Sequence, residues 1–264
     1  MIVRNSLDEI AGEPPIDPHD AVRKSTRAVM RKRFYERVAI SEAPDGFSVL
    51  LDGKPIRAPS RMIVALPTRG IAEAVAQEWE AQCESLDPMT MPMTRLANSV
   101  IDGVIGREAS VAEDLAKYFE SDLICYRASH PAELVAREAQ AWDGVLYWAA
   151  HALNARFILA EGIVHAPQPP PAVAAARAAM PGQAWPLAAC HVVTTLTGSA
   201  LLALALWCGV CNPDEVWSAA HIDEDYNAEQ WGADEEVVAR RAARRRDFDA
   251  AARVIVELRG AQNV

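Results

Sequence analysis

The chain has 264 residues, 51% of them hydrophobic, enough to bury one large core or two modest ones, and the unequal character of its halves favours two. A formal charge of −10 argues against a nucleic-acid binder, which concentrates Lys and Arg against phosphates. Five cysteines, Cys83, Cys125, Cys190, Cys208 and Cys211, form an odd set at scattered spacings with no secretory signal before them, which points to a reducing compartment without disulfides.

The first twenty residues carry five acids, which a mitochondrial transit peptide avoids, so residues 1–32 are expected to be the flexible tail of a cytoplasmic protein. Arg23, Lys24, Arg27, Arg31, Lys32, Arg33 and Arg37 follow with one acid, Glu36, and read as a solvated basic arm. Residues 34–41 mix aromatic and β-branched side chains in a strand-like run that ends at Pro44-Asp-Gly46. Residues 47–51 and 54–57 flank Asp52-Gly53, the pair that supplies positive φ at both positions of a tight hairpin turn, and residues 62–66 offer one more strand. From Ile71 the period becomes helical, with Ile71, Ala74, Val75 and Trp79 on one face and Glu73, Gln77 and Glu80 on the other. Two short helices are expected over residues 96–104 and 111–119.

Beyond Asp122 the helical period dominates. Helices are expected over residues 132–154 and 172–180, after a Pro-rich connector at Gln168-Pro-Pro-Pro171. Residues 187–210 are apolar on every side and are expected to form one buried helix. A membrane span is disfavoured there by His191, by the hydroxyls of Thr194, Thr195, Thr197 and Ser199, and by the lack of flanking basic anchors. Asn212-Pro-Asp-Glu215 reads as a capping box with proline at the first helical position. The closing helix carries Phe248, Ala251, Ala252, Ile255 and Leu258 as one core-facing stripe. The expected fold class is therefore α+β: a tail over 1–32, a small antiparallel sheet with helices over 33–120, and an all-helical bundle of orthogonal type over 121–264.

Little in the pattern suggests catalysis. Cys208-Gly-Val-Cys211 has redox or zinc spacing, but it follows an apolar helix with no second pair and no cations to lower a thiol pKa, so buried structural cysteines are expected. No two of the six histidines are three or four apart, so no helical metal pair exists. Thr197-Gly-Ser199 lacks the second glycine of a nucleophile elbow, and Ser199 reads as a small residue that lets another helix approach. No Gly-rich phosphate loop occurs. The acidic stretch Trp217-Ser-Ala-Ala-His-Ile-Asp-Glu-Asp-Tyr226 and its continuation to Glu236 would ordinarily be a solvated helix face. Tryptophans interleaved with carboxylates also suit a binding surface, where the ring supplies area and the charge supplies register.

That stretch, with Trp217, Asp223, Glu224, Tyr226, Glu229, Trp231, Gly232, Asp234 and Glu236 ahead of a basic run, resembles the assembly chaperones for the alpha subunit of the soluble catalytic sector of F-type ATP synthase. Asp52-Gly-Lys-Pro55, Ala72-Glu-Ala-Val-Ala-Gln-Glu-Trp79 with Gln82, Thr94-Arg-Leu-Ala-Asn98, Asp122-Leu-Ile-Cys-Tyr-Arg127, Trp142-Asp143 and Thr197-Gly-Ser199 agree with that family in order. The resemblance implies a two-domain, monomeric, non-enzymatic protein without cofactor or metal. Such a protein binds the free alpha subunit, keeps it from aggregating and yields to the beta subunit. It implies no nucleic-acid partner and no membrane insertion, and the acid-containing N-terminus suits a bacterial member in the cytoplasm. Glu224, Asp234, Glu236, Asp223 and Glu229 are then expected at the client contact, with Trp79, Asn98, Trp231 and Gly232 as structural motif residues. A small carboxylate-dependent hydrolase or isomerase is the opposing reading, which requires those acids to converge on a deep pocket.

Overall fold

The structure, a computed structural model, describes residues 31–162 and 165–262. The expected tail and basic arm lie, up to residue 30, outside the described residues. Residues 35–81 and 88–262 belong to one compact unit, and residues 31–34 with Gln82–Asp87 to a small separate one. In the small unit the backbone of Arg31 accepts from Leu86 N–H (2.8 Å) and Arg33 N–H donates to Glu84 (2.9 Å).

The compact unit opens with a three-stranded antiparallel meander, β1 (Val38–Ala43), β2 (Gly46–Leu51) and β3 (Lys54–Pro55). β1 runs against β2 from Val38↔Leu51 to Ala43↔Gly46. Asp52 and Gly53 sit at φ 47° and 81°, the two positive values that the hairpin reading requires. Residues 62–66 supply isolated bridges, Arg57↔Ile63 and Phe47↔Leu66, in place of the full strand expected. Gly46 is obligatory at that junction: a Cβ there would lie 2.3 Å from the Leu66 carbonyl oxygen.

Helix α1 (Arg69–Glu80) starts at Thr68, whose hydroxyl accepts from Ile71 N–H, and packs on β1 and β2 with Ile71, Ala72, Ala74 and Val75 buried. Trp79 lies at the border of that face, half-buried, its ring 5.6 Å from the ring of Tyr35 in an edge-on pair. Helix α2 (Pro92–Ser99) passes into a π-helical turn (Val100–Val104). Its Met91 cap has no side-chain acceptor, so the carboxylate of Glu78 on α1 takes that role, receiving Met93 N–H (2.6 Å) and Thr94 N–H (2.8 Å). Helix α3 (Glu108–Glu120) then leads to Asp122 and a short 3-10 turn, Leu123–Cys125.

The second half is helical apart from a two-residue parallel ladder between β4 (Tyr126–Arg127) and β5 (Ala160–Glu161). It comprises α4 (Ala132–Ala152), α5 (Pro170–Ala179), α6 (Ala184–Thr197), α7 (Ala200–Cys208), α8 (Pro213–Ala220), α9 (Ile222–Trp231) and α10 (Glu235–Gln262). The one long apolar helix expected over residues 187–210 is in fact two. Gly198 closes α6 in the left-handed region (φ 71°), and Ser199, extended, caps α7 by accepting from Leu202 N–H. Ser199 is thus the hinge between two helices and not merely a small residue inside one. A remote acid fixes the break: fully buried Asp122 accepts Ser199 O–H (2.5 Å) and Leu201 N–H (2.8 Å).

All residues of α7 up to Leu206 are inaccessible, and Trp207 is 8% exposed. This nine-residue helix is the hub of the bundle, touching α3 to α6, α8 and α10. Among the described residues no helix is long and apolar enough to cross a membrane. Helix α10 packs on α6, α7 and α8 and also on α1 and α2, where Arg95 pairs with Asp247 and Arg253 reaches the Gly70 carbonyl (3.1 Å). Of its expected stripe, Phe248, Ala251, Ala252 and Ile255 are buried as the spacing requires, while Leu258 near the helix end is half-buried. Cys208, expected to be buried, is exposed, because the helix ends one residue later at left-handed Gly209.

Candidate functional site

The acidic stretch folds as α8, α9 and the first turns of α10. The Asn212 capping box is complete: Asn212 Oδ1 accepts Glu215 N–H (3.0 Å) and Glu215 Oε2 accepts Asn212 N–H (2.8 Å). Trp217 is 6% exposed, packed against the rings of His221 (3.9 Å) and Phe248 (5.1 Å). His221, 1% exposed, donates from Nδ1 to the Trp217 carbonyl (2.7 Å), which leaves Nε2 without a hydrogen-bond partner among the described residues. Burial pushes its pKa below the usual histidine value, against the Trp217 hydrogen bond and the Glu224 charge, so the ring stays neutral at pH 7.

The five predicted client-binding acids lie on this face in different circumstances. Glu229 is clamped bidentately by Arg137 of α4 (2.9 and 2.8 Å), which holds its carboxyl below the usual range. Arg137 also takes Glu133 (2.8 Å) and lies 5.4 Å over the Tyr226 ring. Glu224 stands 3.6 Å from Arg244, whose guanidinium also reaches the Leu196 carbonyl (2.6 Å). Asp223 faces Glu138, a buried α4 acid that accepts Ala128 N–H (2.9 Å). Burial raises the Glu138 pKa, the Ala128 N–H opposes, and the Asp223 charge adds to the rise. Asp234 caps α10, its Oδ1 accepting Glu236 N–H (2.7 Å). Glu236 projects from the first turn of α10 with no ion pair among the described residues.

Gly232 ends α9 at φ 83°, making a tight elbow into α10. Trp231, read from the sequence as a structural support, cannot be one: it is 87% exposed. Helical geometry explains why, since Trp231 is nine residues, about 900° or half a turn, from Ile222 on the inner side of α9. The same arithmetic applied to the sequence would have found it. Asn98, half-buried, sits on α2 and Trp79 on α1, so neither belongs to the elbow. Arg137, Glu138 and Arg244 were missed; their partners are 92, 85 and 20 residues away, and no local pattern reports such pairs.

A concavity of about 630 Å³ beside this face lies between α4, α7, α8 and α9, lined by Arg137, Gly144, Val145, Leu202, Val210 and Ile222 among others. None of the five acids lines it; Glu215, which does, is committed to the capping box. Among the described residues no cluster of three or more His, Cys, Asp or Glu could hold a metal ion.

The profile of the family described as ATP12 chaperone protein matches residues 32–150. The crystal structure of Atu1473 from Agrobacterium tumefaciens, provisionally described as a chaperone, is 43% identical over 94% of this chain and 92% of its own, with a TM-score of 0.82. Atp12 from Paracoccus denitrificans is 37% identical over 85% of this chain and 97% of its own, with a TM-score of 0.77, and a point mutant of that same protein matches equally well over 96% of its length. At that identity over nearly the whole length of both relatives, the chain belongs to the ATP12 chaperone family.

Proposed function

We propose that the chain is a chaperone of F-type ATP synthase assembly that holds the unassembled alpha subunit until the beta subunit replaces it, acting as a monomer in the bacterial cytoplasm. Membership of the ATP12 family supports the reading. The observation that carries it to a surface is the layout of the acids: Asp223, Glu224, Glu229, Asp234 and Glu236 spread over the open face of α9 and the start of α10 and line no cavity described above. An enzyme working through paired carboxylates would need them convergent in a cleft. An unassembled ring subunit exposes an apolar interface that other chains stick to, and a covering protein of moderate affinity can be displaced by the permanent partner.

Two measurements on the same samples test this: co-purification with the ATP synthase alpha subunit, and suppression of alpha-subunit aggregation. Glu236→Lys should melt like the wild type, because an exposed first-turn charge contributes little to folding. It should lose protection of the client, because a reversed charge at an interface opposes the partner's cation. A variant that folds and still protects fully would show the acidic face to be merely solvated.

A further inference from the structure

Within the acidic face one short segment stands apart. Residues 231–238, Trp-Gly-Ala-Asp-Glu-Glu-Val-Val, hold three carboxylates and no base. Every residue of this segment is exposed, including Trp231 (87%), Val237 (44%) and Val238 (53%). By contrast Glu229, Asp225 and Glu224 already have internal cations, Arg137, Arg241 and Arg244. Val237 lies eleven residues before Phe248, on the same stripe of α10, yet the helix begins ahead of the elements that bury that stripe. The elbow therefore presents an indole and two valines in water, with the exposed acids Asp234, Glu235 and Glu236 between them in the chain. A Cβ built on Gly232 meets nothing within 4 Å, so that side of the elbow is open to approach.

We infer that this elbow anchors a partner segment that is both apolar and basic, such as an amphipathic helix with leucine-like and arginine-like positions on adjoining faces. Exposed apolar area of this kind is stabilised when a partner covers it, and tryptophan is the residue type that contributes most at such centres. The rim fixes the sign of the partner: three carboxylates without an internal cation among the described residues attract bases and repel a second copy of the same elbow. The inference deepens the client-binding reading and rests on it for the identity of the partner, which would be a segment of the alpha subunit. It moves the centre of contact from Glu224 and Glu229 to Trp231, Val237 and Val238.

The test uses the full chain, Trp231→Ala, and the double variant Val237→Ser/Val238→Ser, with melting curves to confirm folding. A labelled synthetic helical peptide of leucines and arginines, and its arginine-to-glutamate counterpart, serve as probes in fluorescence anisotropy. The basic peptide is expected to bind the wild type, to weaken about tenfold in either variant, and to weaken further as salt rises from about 50 to 500 mM. Equal binding by the variants, or by the acidic peptide, would overturn the inference. So would concentration-dependent dimerisation of the wild type that Trp231→Ala abolishes, which would make a second copy the occupant. Purified alpha subunit forms the second arm. If the wild type and both variants bind it equally, the inference fails while the client reading stands. If the wild type binds the basic peptide but not the alpha subunit, the client reading fails while the docking surface stands.

Discussion

Replacing Asp122 by asparagine separates the two opposing effects at the α6–α7 break. The carboxylate is fully buried, and burial raises its pKa from 3.8 to about 6 despite the Ser199 hydroxyl and the Leu201 and Ile124 N–H groups that favour the ionised form. Because the folded value exceeds the unfolded one, the native state holds more protons between pH 4 and 6. The contribution of this group to stability is therefore fully present below about 3.8 and is lost as pH rises through about 6. At about 1.4 kcal/mol per pH unit, the group costs on the order of 3 kcal/mol at pH 7 relative to its protonated form. Asparagine keeps the shape and an acceptor for Leu201 N–H but never ionises; its NH2 replaces the oxygen that accepts Ser199 O–H and Ile124 N–H, a loss that is constant with pH and leaves the pH dependence as the readout. Urea unfolding of both proteins from pH 4 to 7.5 should show the stability difference, Asp122→Asn minus wild type, rising by roughly 3 kcal/mol from the low to the high end of that range, whatever its starting value. Asp122→Ala should instead lose about 3–5 kcal/mol at every pH, since Ser199 O–H and Leu201 N–H are left buried and unpaired. Parallel stability curves for the wild type and Asp122→Asn would refute the argument and show the acid to be ionised throughout.

Two smaller perturbations check the same architecture. Gly198→Ala finds room, since the nearest atom to an added Cβ is that of Leu123 at 3.8 Å, so its cost is the left-handed backbone alone, about 1 kcal/mol in urea unfolding; a loss of several kcal/mol would mean the space is not there. Trp79→Ala should cost about 2–4 kcal/mol, less than for a fully buried indole, whereas Trp79→Phe should cost little, because Trp79 Nε1 is buried without an acceptor among the described residues; an unchanged melting temperature for the alanine variant with lost client binding would place Trp79 in the interface.

What could be read from the sequence was what is decided over a few residues. Asp52-Gly53 fixes its hairpin through its own backbone preference, and Asn212 with Glu215 closes a box four residues long, so both stand where the pattern put them. The period of α1 and the stripe of α10 were legible for the same reason, each face repeating within one helix. The break at Gly198 was not, although its glycine and serine are the ordinary end and start residues of two helices. A run apolar on every side carries no period, and so no phase whose interruption could be seen. The acid that holds the break, Asp122, acts across 77 residues, as Glu78 acts across 15 to cap α2.

Trp217 and Trp231 sharpen the point. Both are tryptophans among carboxylates, and residue type alone treats them alike. Trp217 is flanked by Val216 and Ala219 on a buried face and meets Phe248 from α10. Trp231 falls outside the short stripe of α9 and then meets Gly232, which turns the chain before any element can cover it. Burial is thus a property of phase and neighbours, with residue type only setting how much is at stake. For that reason the most exposed large apolar side chain among the described residues is a better pointer to a partner than the acids around it: a carboxylate in water is at rest, whereas an uncovered indole leaves free energy that only a second surface can release.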